Sequence, residues 1–191
     1  PYDHLLSIHN HPAKEFPWDK EYITHVSCQY ADQVFVASLR EKYQRPVIND
    51  EPQYEGDHFC HWGNISAMEM VHRFWMGAVN GIYTSHGETY AVSEWSGPGG
   101  TFIGESPERI AFLRKILEES PAEGINNYRK GEFWQNLAAG DPNKYLLLYF
   151  GVHQPGIWYF DFPEDGSEYT VELIDPWEMT IESLGTFSGK I

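Results

Sequence analysis

Four short apolar segments in the first half of the chain end in polar side chains that could do chemistry. They cover residues 5–11, 22–29, 46–51 and 81–88, and each is predicted to be a β-strand whose end enters a loop. The polar ends supply Asn10 and His11, Gln29, Asp50 and Glu51, and finally His86 and Glu88. Carboxylates grouped with histidines suit general acid–base or nucleophilic chemistry, for example on a sugar.

Glu51 is the strongest candidate for a reacting group. It follows the β-branched pair Val47 and Ile48 and precedes Pro52, which is expected to end the strand. In an extended chain the neighbouring Asp50 would point to the opposite side. The alternative that Glu51 only caps a loop stays open.

Other histidines and tryptophans give weaker signals. A metal-dependent hydrolase remains a rival hypothesis, and its candidate ligands are His9, His11, His58 and His61. His9 and His11 have no third ligand fixed by spacing, and His58, Cys60 and His61 form a second group whose signal is also weak, so we expect no metal and no cofactor. Trp62 and Trp95 are predicted to lie in loops, where they either stack on sugar rings or pack as core residues.

Helical patterns alternate with these strands. Residues 31–43 carry apolar side chains at helical spacing, and a second helix is expected to begin at a capping box of Ser66 and Glu69. A third helix is expected to begin at Ser106, with Pro107 in its first turn. Alternating strands and helices indicate a parallel α/β sheet, in which ligand sites gather at the carboxyl ends of the strands.

The pattern changes after a predicted linker at residues 121–124. Four strand-like segments separated by turn residues follow, at 144–150, 157–162, 169–174 and 179–184. Their spacing predicts hairpins in a small antiparallel sheet or sandwich. We therefore divide the chain into residues 1–120 and a β domain over residues 125–191, which we expect to be truncated.

Composition excludes several classes of protein. The 191 residues include 28 acidic and 13 basic side chains, which give a formal net charge of −15. This charge argues against nucleic-acid binding, which depends on Lys and Arg. No apolar run approaches the ~18 residues of a membrane span, so we expect no membrane partner. Cys28 and Cys60 leave the compartment open. The first residue is Pro1 rather than Met, and we expect a piece of a longer protein.

Three segments carry a family resemblance. They are Arg45-Pro46-Val47-Ile48-Asn49-Asp50-Glu51, Gly81-Ile82-Tyr83-Thr84-Ser85-His86-Gly87-Glu88 and Gly104-Glu105-Ser106-Pro107-Glu108-Arg109-Ile110. Together they resemble the C-terminal part of apiosidase-like glycoside hydrolases, some of which are labelled as collagenases or collagen-binding proteins. The resemblance covers about residues 1–120, and the remainder is similar to the small all-β domain that follows the barrel in some members.

The resemblance implies a fold, a reaction and a set of site residues. The fold would be α/β, namely the C-terminal half (strands five to eight) of a (β/α)8 barrel followed by a small antiparallel β domain. Glu51 would be the nucleophile of a retaining glycoside hydrolase acting on a polysaccharide or oligosaccharide. Substrate would be bound by Asn10, His11, Gln29, His86, Glu88 and Trp95.

A retaining mechanism requires two carboxyl groups, and the resemblance implies that the acid–base residue lies outside this chain. We therefore expect the chain alone to be inactive. Half a barrel also leaves two open sheet edges, so we expect a partner, either the missing N-terminal half or a second copy of the chain. The alternative function is a non-catalytic module that binds glycan or protein.

Overall fold

Short parallel strands and three helices form the N-terminal part of the molecule. The computed structural model describes residues 4–11, 14–90, 101–127, 137–159 and 165–188. In chain order the elements are β1 (Val26–Cys28), α1 (Gln33–Tyr43), β2 (Val47–Asn49), β3 (Glu55–Gly56), a 3₁₀ turn (His61–Gly63), α2 (Ala67–Val79), β4 (Tyr83–Thr84), β5 (Glu88–Thr89), α3 (Ser106–Glu118), β6 (Leu137–Asp141), β7 (Tyr145–Tyr149), β8 (Tyr169–Asp175) and β9 (Thr180–Phe187).

The parallel pairing that the sequence predicts is confirmed. One sheet has the order β1-β2-β4 and a second, two-stranded sheet pairs β3 with β5, all in parallel. The predicted first strand at 5–11 is reduced to one parallel bridge between His9 and Ser27. The predicted strand at 81–88 is split, because the chain leaves the first sheet after Thr84 and joins the second at Glu88. These parts confirm a mixed α/β fold, and the half-barrel stays a prediction.

The helices begin where the sequence predicts, for identifiable reasons. Asp32 caps α1 by accepting hydrogen bonds from the backbone N–H groups of Val34 and Phe35 at 2.9 and 3.0 Å. Ser66 caps α2 by accepting from the N–H of Glu69 at 3.1 Å. The carboxylate of Glu69 instead accepts from Arg73 at 2.7 Å, so the capping box forms on one side only.

Two apolar clusters hold these layers together. The first packs β1 and β2 against α1, and its members are Trp18, Ile23, Val26, Cys28, Val36, Leu39, Val47 and Ile82. The second joins α2 and α3 to the hairpin β6-β7, and its buried members are Val71, Trp75, Val79, Leu113, Ile116, Ala139 and Leu147. The second cluster therefore contains side chains from both sides of the predicted linker at 121–124.

Two antiparallel hairpins make up the C-terminal part. β6 pairs with β7, and β8 pairs with β9 with a bulge between Val171 and Glu172. The predicted strands at 144–150, 169–174 and 179–184 are confirmed, whereas residues 157–159 are not in a strand and residues 160–162 lie outside the described ranges. A sandwich and the division at residues 120 and 125 stay predictions. None of the helices in the described ranges is long and apolar enough to cross a bilayer.

Candidate active site

Glu51 lies just beyond the carboxyl end of β2. The backbone N–H of Asp50 donates to the carbonyl of Cys28 at 2.8 Å, so the pairing with β1 continues one residue past the strand. The hydroxyl of Ser85, which follows β4, donates to the carbonyl of Asp50. Both neighbouring strands therefore hold the backbone at Asp50, and they fix the point from which Glu51 extends. The side chain of Glu51 is about one-third exposed, at 32%.

A histidine bridges the two carboxylates at this strand end. His9 Nδ1 lies 3.2 Å from Asp50 Oδ2, and His9 Nε2 lies 3.4 Å from Glu51 Oε1. Ser27 Oγ donates to the same Asp50 oxygen. The imidazole thus has one nitrogen toward each carboxylate.

Tyr54 connects Glu51 to the segment between β4 and β5. Its side chain is hydrogen-bonded to the carboxylate of Glu51, and its pKa is raised first by burial and then by that hydrogen bond. The ring also lies directly on Gly87, since a Cβ on Gly87 would be 2.5 Å from Tyr54 Cε1. Only glycine leaves room for the ring at this position, so Gly87 is part of the support of Glu51.

The turn after Glu51 is held by a buried arginine from α2. Gln53 has φ of 76°, a left-handed conformation that is uncommon for a residue other than glycine. Arg73 Nη1 donates to Gln53 Oε1 at 2.6 Å and to the carbonyl of Pro52. Its Nε donates to Glu69 at 2.7 Å, and Arg73 is only 8% exposed. These contacts maintain a strained turn next to the candidate nucleophile.

A second group of titratable side chains is buried around β3 and β5. Glu55 and Glu88 are direct partners across this parallel pair, so their carboxylates would repel each other without compensation. Glu88 accepts from the backbone N–H groups of Ile103 and Gly104 at 2.9 and 3.2 Å. Glu55 accepts from the N–H groups of Glu105 and Ser106 at 2.8 and 3.1 Å, from the Ser106 hydroxyl, and from Tyr90.

These contacts place both carboxylates at the N-terminal end of α3. The N-cap residue of α3 is Glu105, and its side chain accepts no capping hydrogen bond. The carboxylate of Glu55 caps the helix instead, since it accepts from the first free backbone N–H groups. Burial alone would raise the pKa of Glu55, but the hydrogen bonds from Ser106, Tyr90 and the backbone outweigh it, so the pKa is lowered. Glu55 is therefore a buried, ionised cap.

His86 belongs to this second group, together with Glu55 and Glu88. Its Nε2 is 3.0 Å from Ser106 Oγ and 3.8 Å from Glu88 Oε1. Burial lowers its pKa, although Glu88 and Glu55 act in the opposite direction. His86 and Glu88, both predicted to bind substrate, thus share contacts with the α3 terminus, and Glu88 has both oxygens engaged by backbone N–H groups.

The remaining predicted residues divide into three groups. Asn10 is buried, and its amide donates to Tyr30 Oη at 2.7 Å and accepts from the N–H of Gln29 at 3.0 Å. Gln29 in turn donates to the carbonyl of Asn10 at 2.7 Å. This reciprocal pair ties the residues after β1 to the first segment, and His11 beside it is exposed. Trp95 lies outside the described residues.

The histidines of the rival metal hypothesis are not grouped as ligands within the described residues. The one group there with suitable spacing is Glu55, His86 and Glu88, whose ligand atoms lie within 4.8 Å of one another. Their carboxylate oxygens already accept backbone and hydroxyl hydrogen bonds, which explains their positions without an ion.

Comparisons with known proteins agree with this architecture. In solved structures, a protein of Bacteroides vulgatus described as a putative glycoside hydrolase superposes with a TM-score of 0.81 and 33% identity, over 98% of this chain and 39% of that chain. This chain has a glycoside hydrolase-like fold. A glycoside hydrolase family 5 structure from the same organism has a TM-score of 0.73 at 15% identity, over 98% of this chain and 51% of its own. A third structure, described as a glycoside hydrolase, has a TM-score of 0.72 at 15% identity, over 99% of this chain and 54% of that one.

The sequence comparisons add one match. Residues 134–191 match the family model described as a domain of unknown function, DUF5605. No curated protein matches the chain. The relation to glycoside hydrolases that the sequence segments indicate is therefore confirmed, whereas the apiosidase-like and collagen-binding labels stay predictions. The glycoside hydrolase-like chain spans 39% of the first structure's length and about half of the other two.

Sequence reasoning missed Tyr54 and Arg73. Tyr54 comes three residues after Glu51, a spacing with no signature of its own, and its role depends on Gly87 far along the chain. Arg73 lies in a helix whose sequence is typical of an apolar core helix, so its charge was the only sign of a polar role. An arginine among apolar residues of a helix indicates a buried side chain that donates hydrogen bonds.

Proposed function

We propose that this chain is the C-terminal part of a retaining glycoside hydrolase and that Glu51 is its nucleophile. The observation that carries the proposal is the position of Glu51 just beyond the carboxyl end of β2, in contact with His9 and Tyr54, in a chain with a glycoside hydrolase-like fold. Carboxyl ends of parallel strands are where such folds bind their ligands. The substrate would be a polysaccharide or oligosaccharide.

The reaction would proceed in two steps. A Glu51 oxygen attacks the anomeric carbon and forms a glycosyl ester, while the bond to the leaving oxygen breaks and that oxygen takes a proton from the acid residue. Water then attacks the same carbon, gives its proton to the acid–base residue and releases Glu51 as a carboxylate. In the proposal, the acid–base residue belongs to the rest of the protein, about 5–5.5 Å from Glu51 in the assembled site.

The contacts of Glu51 suit this role. A nucleophile must stay in one rotamer close to the substrate, since small displacements reduce the rate strongly. The hydrogen bond from Tyr54 restricts the carboxylate, His9 Nε2 lies 3.4 Å from its Oε1, and its one-third exposure leaves an oxygen accessible. Glu55 and Glu88, by contrast, are engaged by the α3 terminus and are assigned to positioning it.

Substitution of Glu51 in the full-length protein tests the proposal. Turnover of a panel of dinitrophenyl glycosides should fall by a factor of about 10⁴ or more in Glu51→Gln, since the group that forms the covalent bond is lost. Glu21→Gln is the matched control, because Glu21 is exposed and precedes β1, and it should leave turnover unchanged.

A covalent trap identifies the residue directly. A 2-deoxy-2-fluoroglycosyl fluoride that inactivates the enzyme should add its sugar mass to the peptide that contains Glu51. Normal turnover by Glu51→Gln, or sugar attached to a different carboxylate, would end the assignment.

A further inference from the structure

The geometry around His9 points to a role that the nucleophile assignment does not include. The imidazole lies between Asp50 and Glu51, with nitrogen–oxygen distances of 3.2 and 3.4 Å. Two adjacent carboxylates repel each other, and a doubly protonated ring that faces both reduces that repulsion because it can direct one N–H to each. The charge that surrounds the Glu51 carboxylate therefore depends on where the ring is held.

Three contacts hold His9 in place, one on its ring and two on the neighbouring backbone. The backbone of His9 forms a parallel bridge with Ser27, and Ser27 Oγ lies 3.3 Å from His9 Nδ1. That same hydroxyl donates to Asp50 Oδ2. The indole N–H of the buried Trp18 donates to the carbonyl of Ile8 at 2.9 Å, which anchors the residue before His9. Nδ1 faces the Asp50 carboxylate and the Ser27 oxygen, whose proton goes to Asp50, so Nδ1 has to donate. Nε2 also faces a carboxylate, so the ring fits this site as an imidazolium that presents an Nε2–H to Glu51.

We propose that His9 is a positioning residue for Glu51 and that it accelerates chiefly the second step, the hydrolysis of the glycosyl ester. This inference rests on the proposed function. In the first step Glu51 loses negative charge as it attacks, so a donor on its oxygen gives no advantage in rate. In the second step the carboxylate is the leaving group and regains its charge, so the Nε2–H stabilises the transition state.

The two steps are separated by kinetics with an activated substrate. Dinitrophenolate leaves readily, so kcat is set by the second step, while kcat/KM reports the first. For His9→Ala we expect kcat and KM to fall together by about 10- to 100-fold, the scale of one hydrogen bond to a charged group, with kcat/KM nearly unchanged. Dinitrophenol should then appear in a pre-steady-state burst, because the glycosyl ester accumulates.

Three further variants of the full-length protein serve as controls. His9→Gln keeps an N–H donor and should recover part of the loss in kcat. His25→Ala removes a half-buried histidine just before β1, whose Nδ1 contacts Thr24 Oγ1 at 2.9 Å, and it should leave kcat, KM and burst unchanged. Glu51→Gln should be inactive, and tryptophan fluorescence should report the same fold for all variants.

The outcomes separate this inference from the proposed function. Turnover by Glu51→Gln overturns both. An inactive Glu51→Gln together with an unchanged kcat in His9→Ala overturns the role of His9 alone. A fall in kcat/KM without a burst in His9→Ala or His9→Gln has the same consequence, because it indicates only a disturbed site.

Discussion

At the scale of single residues, the candidate nucleophile depends on side chains that were not obvious from its own segment. Glu51 is contacted by His9 from the first segment and by Tyr54 from the following turn. The ring of Tyr54 in turn needs the bare backbone of Gly87. Removing a group that touches no substrate should therefore reduce activity through Glu51.

Gly87→Ala tests this dependence. The added methyl group would overlap the Tyr54 ring, which must move and weaken its hydrogen bond to Glu51. We expect a loss of about 1–3 kcal/mol in the free energy of unfolding, measured with urea, together with a reduced kcat in the full-length protein. Tyr54→Phe should reduce kcat with a smaller loss of stability.

Gly156→Ala is the matched control for Gly87→Ala. A Cβ there meets no atom within 4 Å, so neither stability nor kcat should change beyond the effect of an ordinary surface substitution. If Gly87→Ala loses stability and retains full kcat, the contact between Tyr54 and Glu51 has no part in activity.

At the scale of elements, the α3 terminus is determined by a carboxylate that precedes it by fifty residues. Ser106 and Pro107 predict the start of α3 correctly, but the side chain that caps it is Glu55. Gly104 permits this contact, since a Cβ at Gly104 would lie 2.5 Å from the Glu55 carboxyl carbon. The start of a helix can be predicted from local sequence. The distant residue that caps a helix without its own cap is determined by the fold.

Glu55→Gln should destabilise the protein and change its response to acid. The amide cannot accept all the hydrogen bonds that the carboxylate accepts, so we expect a loss of about 2–4 kcal/mol at neutral pH by urea unfolding. The folded-state pKa of Glu55 lies below the unfolded value of 4.5, so its contribution is complete above that pH and is lost as the pH falls through the folded value.

The stability of Glu55→Gln should therefore fall less steeply than that of the unsubstituted protein as the pH drops from about 5 toward 3. Glu118→Gln is the control, since that carboxylate is 61% exposed and pairs with Arg114 at the surface. We expect it to change stability by less than about 0.5 kcal/mol. Parallel pH curves for Glu55→Gln and the unsubstituted protein would show that Glu55 is not an ionised cap.

The sequence predicts elements well where the signal is local and poorly where the fold decides. The cap Ser66 and the parallel pairing of β1, β2 and β4 follow from spacing and composition, whereas the cap Asp32 was not predicted. The strand β6 was not predicted, because its sequence Leu-Ala-Ala-Gly-Asp has low strand propensity. It is a strand because it pairs with β7. For the candidate site, the spacing indicates Glu51. The contacts of Tyr54 and Arg73 could not be predicted, because they join segments that are distant in the sequence and meet only in the fold.

At the scale of the molecule, the two parts of the chain share an apolar cluster. Leu147 of β7 is buried against α2 and α3 together with Trp75 and Leu113, although the predicted linker separates these elements. Arg109 of α3 also stacks on Trp177, with the guanidinium carbon 3.7 Å from the ring centroid. A boundary between two predicted domains is therefore crossed by core contacts.

Shared core contacts make the unfolding of the two parts interdependent. Leu147→Ala should cost about 2–5 kcal/mol, because it leaves a cavity between the hairpin and the helices. Leu173→Ala, on the 54% exposed β8 side chain, should cost less than about 0.5 kcal/mol. In Leu147→Ala, circular dichroism and tryptophan fluorescence should show one shifted transition, since both parts lose the same contact. Two separate transitions, with only one of them shifted, would mean that residues 1–120 and 125–191 fold independently despite the cluster between them.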